Sequence, residues 1–196
     1  MSNNFSIADV RSIDSSVRSL TLPDEKATQE PSPSDDQQFL RLKLFSNITA
    51  LLPMQQLGEV LTIPVGQVVP IPNMPAWVMG IYNWRGDILW IADLSHFLGL
   101  MSWNHQANTG VNYTVVVLNV HAMSASSSST DNQMIGLVVN ETEDTEQCNP
   151  DEIQSSIASS VNPALARFLQ GYWLNPNGEM LAVLDGNAML DGMSNP

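Results

Sequence analysis

Met79-Gly-Ile-Tyr-Asn-Trp-Arg-Gly-Asp-Ile-Leu-Trp-Ile-Ala-Asp-Leu94 sets two apolar runs on either side of a tight Arg-Gly-Asp turn, the pattern of a β-hairpin. The turn carries Arg85, one of only two fixed positive charges between Leu44 and Pro196. A guanidinium has five donors, no acceptor and no accessible neutral form. A lone one on an acidic background is a solvated turn residue, half of an ion pair with Asp87 or Asp93, or a contact for a partner. Tyr82, Trp84 and Trp90 share one parity in this window, opposite Ile81, Leu89 and Ile91. That alternation predicts one face filling a barrel and the other packing on a neighbouring subdomain or a partner. Aromatics beside an arginine are typical of interface centres.

Working outward, the chain has 196 residues, 43% of them hydrophobic, enough for one domain or two small subdomains. Twenty acidic residues against seven basic ones give a formal charge of −13. Such a field repels phosphate backbones and anionic headgroups, which argues against nucleic-acid and membrane-surface roles. The single cysteine, Cys148, excludes an internal disulfide. A secretory leader and a membrane span are both unsupported, and a cytoplasmic protein is expected. The glycosylation-like triplets at Asn47, Asn112 and Asn140 then carry no meaning.

Residues 1–37 are rich in Ser, Asp, Gln and Pro and are expected to form a disordered tail, with the folded domain spanning 38–196. Leu40, Leu42 and Leu44 alternate with Arg41 and Lys43, the period of a strand, and Ile48 to Leu52 returns beside it. Gln56 to Ile63 reads as a third strand. Four prolines between Pro64 and Pro75 forbid a helix there. After the Arg85 hairpin, Asp93 is expected to cap a short helix through Leu98, stopped at Gly99. Tyr113 to Val120 and Met134 to Asn140 read as paired strands around a serine-rich loop, 122–133. Glu141 to Glu152 holds six acids and no base and is read mainly as a solvated charge run. Asn162 and Pro163 start a helix expected to reach Gln170. Tyr172 to Leu174 and Glu179 to Leu184 form a hairpin across Asn175-Pro-Asn-Gly178, and Asp185 caps a last helix over Asn187–Leu190. Each half therefore contains an apolar strand ending in an aspartate cap and a short helix. Many short strands with frequent turns indicate small all-β barrels with short helices.

Catalytic chemistry is not indicated. His96, His105 and His121 lack metal-ligand spacing, and Cys148 has no second cysteine to join it. Nucleophile elbows, phosphate loops and dinucleotide fingerprints are missing from the sequence. A thiolate at Cys148, among so many carboxylates, is electrostatically disfavoured. No enzyme activity, cofactor or metal is expected.

The segments Leu57-Gly-Glu59-Val60, Ile71-Pro-Asn-Met-Pro75-Ala-Trp77-Val78-Met-Gly80 and Asn83-Trp-Arg85-Gly86-Asp-Ile88-Leu-Trp-Ile91-Ala-Asp93-Leu94 resemble the chemotaxis coupling protein CheW and the related regulatory domain of the CheA histidine kinase. Val115 to Leu118, Ile135 to Val139, Phe168 to Tyr172 and Leu184-Asp185 fit more loosely. The sequence departs from the family at Trp84, where a leucine is usual, and at Trp90, where a proline is usual. The resemblance implies a mainly all-β fold of two packed five-stranded SH3-like barrels. It implies a stand-alone adaptor that couples methyl-accepting chemoreceptor tips to a CheA-type kinase, or one serving phototaxis or type IV pilus motility. Carried over by motif, Leu57, Glu59, Gly80 and Arg85 are expected at the receptor groove, with Gly80 letting a receptor helix approach. Val138 and Val139 are expected on the kinase-facing surface.

Overall fold

The computed structural model describes residues 36–44, 48–103, 110–121, 132–155 and 162–194. Apart from their joining ends, the expected tail and serine-rich loop lie outside those residues. Ten strands are present among the described residues: β1 (Gln37–Leu44), β2 (Ile48–Pro53), β3 (Leu57–Pro64), β4 (Val78–Trp84), β5 (Asp87–Asp93), β6 (Asn112–His121), β7 (Asn132–Val139), β8 (Glu141–Cys148), β9 (Leu169–Leu174) and β10 (Met180–Leu184). Among the described residues three α-helices accompany them: α1 (Leu94–Phe97), α2 (Pro163–Ala166) and α3 (Gly186–Ser194).

The strands form two five-stranded sheets, ordered β8-β1-β2-β10-β9 and β3-β6-β7-β5-β4. This is the expected SH3-like architecture, although no ladder joins β3 to β4 or β8 to β9 among the described residues. The subdomains are not the two halves of the chain. The chain begins in one sheet, builds the whole of the other with β3 to β7, and returns to finish the first. The repeat is consequently permuted: β3-β4-β5-β6-β7 corresponds to β8-β9-β10-β1-β2. Both parallel contacts obey this relation, β5 with β7 and β10 with β2. So do the aspartate-capped helices α1 and α3, which follow β5 and β10.

Burial on both faces explains why the central strands read as unbroken apolar runs. Val116 and Leu118 of β6, with Leu40 and Leu42 of β1 and Ala182 and Leu184 of β10, enter one core shared by the two sheets. Val115 and Val117 point the other way, with Leu89, Ile91 and Val138, into the interior of their own subdomain. Phe39, Leu51, Trp173 and Val183 fill the other interior. Completely burying a Leu or Val contributes about 1.5–3 kcal/mol, so these three clusters are the main source of cohesion.

Two elements differ from expectation. The α2 helix ends at Ala166, because Phe168 turns into the shared core and Leu169 enters the ladder opposite Leu184. The acidic run is largely a strand, β8, whose carboxylates meet the cations of β1. Arg41 donates to Glu143, Glu146 and Glu179 at 3.1–3.3 Å, and Lys43 reaches Glu141 and Glu143. Burial works against the Arg41 charge, but its hydrogen bonds to Glu179, Glu143 and Glu146 outweigh that and raise its pKa. The hydrogen bond from Lys43 holds the Glu143 carboxyl below its ordinary value, burial opposing and Arg41 assisting.

Candidate partner-binding site

The β4–β5 hairpin pairs Trp84 with Asp87, leaving Arg85 and Gly86 as the two turn residues. Both have positive φ, 56° and 95°, as a type I′ turn requires. This geometry matches the twist of the flanking strands and favours Asn or Gly in its first position. Asn83 Oδ1 closes the turn by accepting from the Gly86 N–H at 3.2 Å.

The resulting side-chain arrangement is a three-residue clasp. Arg85 Nη2 donates to Glu59 Oε2 at 2.7 Å, and its guanidinium lies 4.8 Å from the centroid of the Trp84 ring. Trp84 Nε1–H donates to Glu59 Oε1 at 2.8 Å. Glu59 belongs to β3 and Trp84 to β4, the two outer strands of their sheet, so the clasp spans a seam that lacks a backbone ladder. The Arg85 side chain remains 69% exposed despite its pairing. The ion-pair partner considered from sequence was Asp87 or Asp93; the observed one is Glu59. Asp93 is instead buried and caps α1, and its second oxygen accepts from Ser102 and from the Trp103 N–H.

Of the other expected contact residues, Leu57 is half-buried at the start of β3 and packs on the shared core. Gly80 is buried with φ 144°. A Cβ there would lie 2.2 Å from the Val69 carbonyl oxygen. Its missing side chain therefore admits a segment of this same chain, which bridges Val69 to Ile81, rather than leaving room for a receptor helix. Gly171 repeats the device: its Cβ would meet the Gln154 carbonyl oxygen at 2.4 Å, next to the Gln154–Tyr172 bridge.

Val138 and Val139 do not form a surface. They are 0% and 1% exposed, in the subdomain interior and the shared core respectively, on a strand paired on both sides. Neither side chain nor a free strand edge is offered to a partner there.

The aromatic parity also needs correction. Facing residues in the hairpin, such as Tyr82 and Leu89, have numbers of opposite parity, so the parity of a face changes across the turn. Tyr82 and Trp84 pack with Leu89 and Ile91, whereas Trp90 shares the outer face with Ile81 and with Ile88, which is 67% exposed. Trp90 also lines an apolar groove of about 420 Å³ with Met74, Trp77, Met134, Leu190 and Met193. The groove lies between β5, β7 and α3, which are far apart in sequence, and only Trp90 hinted at it.

No group of three or more His, Cys, Asp or Glu among the described residues is arranged to hold a metal ion. Cys148 is buried, and burial first, then Glu152, Asp36 and Glu146, push its thiol up to about 11. No helix among the described residues is long and apolar enough to cross a membrane.

Comparison with known proteins agrees with this fold. A solved structure described as the scaffolding protein TtCheW from Thermoanaerobacter tengcongensis is 16% identical, with a TM-score of 0.60 over 76% of this chain and 89% of that one. No curated protein sequence matches significantly. The family profile of the CheW-like domain matches residues 39–193, which takes in both sheets, the clasp and all three helices. The chain belongs to the CheW-like domain family.

Proposed function

We propose that this chain is a non-catalytic scaffold in chemotaxis signalling, holding the regulatory domain of a CheA-type histidine kinase near the tip of a methyl-accepting chemoreceptor. The single observation that carries it is the half-buried Glu59–Trp84 pair presenting an exposed Arg85 on a CheW-like fold. Among the cations with described ion pairs the Arg85 side chain is the most exposed, 69% against 16% for Arg41 and 44% for Lys43. In this proposal Glu59 and Arg85 make the receptor contact, supported by their pairing at 2.7 Å, and Leu57 and Gly80 shape the strands beneath them. A cytoplasmic location follows from those partners. The test is calorimetry of the full chain against a soluble kinase regulatory domain and, separately, a receptor hairpin fragment. Saturable heat in both titrations, with no turnover, is expected. Two flat titrations at high micromolar concentration, with every protein folded, would sink the proposal.

A further inference from the structure

We infer that Trp84 is a specificity-determining positioning residue, which fixes Glu59 and Arg85 so that the guanidinium edge faces a carboxylate of the partner; this rests on the receptor contact proposed above. Each Glu59 oxygen has its own donor, indole Nε1–H at 2.8 Å on one and guanidinium Nη2 at 2.7 Å on the other. The carboxylate is thereby held in one orientation across the seam. The guanidinium carbon lies over the Trp84 ring, 4.8 Å from its centroid. Its remaining N–H groups lie in the guanidinium plane, and the side chain is 69% exposed. A guanidinium fork matches the geometry of a carboxylate, the acceptor that Arg binds best. The rest of a chain of net charge −13 repels acidic residues, so an acidic partner side chain is directed to this point. The backbone agrees: Arg85 occupies a left-handed φ of 56°, an unusual state for arginine, and such outliers concentrate where function requires them.

The indole N–H and the ring face are separable by substitution. Trp84→Phe keeps a ring under Arg85 and removes the donor to Glu59, and Trp84→Leu removes both. The probe is a soluble cytoplasmic hairpin fragment of a chemoreceptor, titrated into the full chain. We expect Trp84→Phe to weaken binding about three- to tenfold and Trp84→Leu at least as much, with the double variant W84F/R85A within about twofold of Arg85→Ala alone. Arg85→Lys, which keeps the charge and loses the fork, should behave like Arg85→Ala. Normal binding by Trp84→Phe, losses that multiply in the double variant, or full rescue by lysine would overturn the inference while leaving the receptor contact standing. Normal binding by Arg85→Ala would remove both. Should the Trp84 variants fold poorly, the indole N–H resonance of the unaltered Trp84 supplies the check. It should move on Glu59→Gln, and an unmoved resonance would overturn the role of the hydrogen bond.

Discussion

Arg85 is held in a backbone conformation that disfavours its residue type, with an exposed side chain, so its presence is poorly explained by stability. Left-handed φ costs a non-glycine residue about 1–2 kcal/mol, and an exposed ion pair returns about 0–1 kcal/mol. Arg85→Asn should therefore leave the denaturant midpoint unchanged or slightly higher, since Asn suits a type I′ turn. The same substitution should weaken receptor-fragment binding by about 1–3 kcal/mol, as removal of interface arginines often does. A midpoint that collapses would make Arg85 structural. Cys148 gives an independent check on the core. With its thiol pushed up to about 11 by burial and neighbouring carboxylates, a thiol reagent at pH 8 should label it only after denaturant unfolds the chain. Because the folded value lies above the ordinary 9.0, the contribution of this group to stability is complete below pH 9 and declines as pH rises towards 11. Labelling of the native protein at the rate of the unfolded chain would show that β8 does not seal that interior.

At the level of elements, what could be read from sequence depended on how locally each strand was specified. The hairpin at Arg85, the Asp93 and Asp185 caps and the alternation of Leu40, Leu42 and Leu44 are written within a few residues and were recognisable. β8 was not, because Glu141–Cys148 offers almost no apolar alternation. Its place is specified across the ladder, by Arg41 and Lys43. The clasp was half legible: motif resemblance named Glu59 and Arg85, but their meeting depends on sheet curvature between positions 26 residues apart. Buried Val138 and Val139 show the limit of motif transfer, since an apolar run says nothing about which residues reach the surface. Gly80 and Gly171, equivalent only under the permuted repeat, each lie beneath a carbonyl of a crossing segment. Alanine at either should destabilise by about 2–3 kcal/mol, the upper range for overpacking against backbone that cannot yield. Alanine at Gly178, where a Cβ meets nothing within 4 Å, is the control for strain, because its φ of 82° penalises the backbone alone. Equal losses at all three positions would contradict the crossing-segment explanation.

Across the whole molecule, acidity is both tolerated and used. Arg41 and Lys43 gather Glu141, Glu143, Glu146 and Glu179, tying β8 and the β9–β10 turn to β1. Removing Arg41 should cost about 3 kcal/mol, because Glu146 and Glu179 then lose their cation and Glu143 keeps only Lys43. Glu143 is held below its ordinary 4.5, so its contribution is present above that pH and is lost as pH falls through the depressed folded value. The fall in Tm on acidification below about pH 4.5 should be shallower in Glu143→Gln than in the unaltered chain. An identical slope would mean that the pair contributes nothing. The two sheets share one core, so the clasp sits on a single packed unit, which is what the proposed scaffold role requires. The most direct test of that role is ligand-controlled autophosphorylation of a CheA-type kinase by receptors in vesicles, with the chain or its Arg85→Ala variant added. The unaltered chain should make the kinase rate respond to receptor ligand, and Arg85→Ala should lose most of that response with its denaturant midpoint unchanged. Equal responses with the chain, with the variant and with neither would contradict the account.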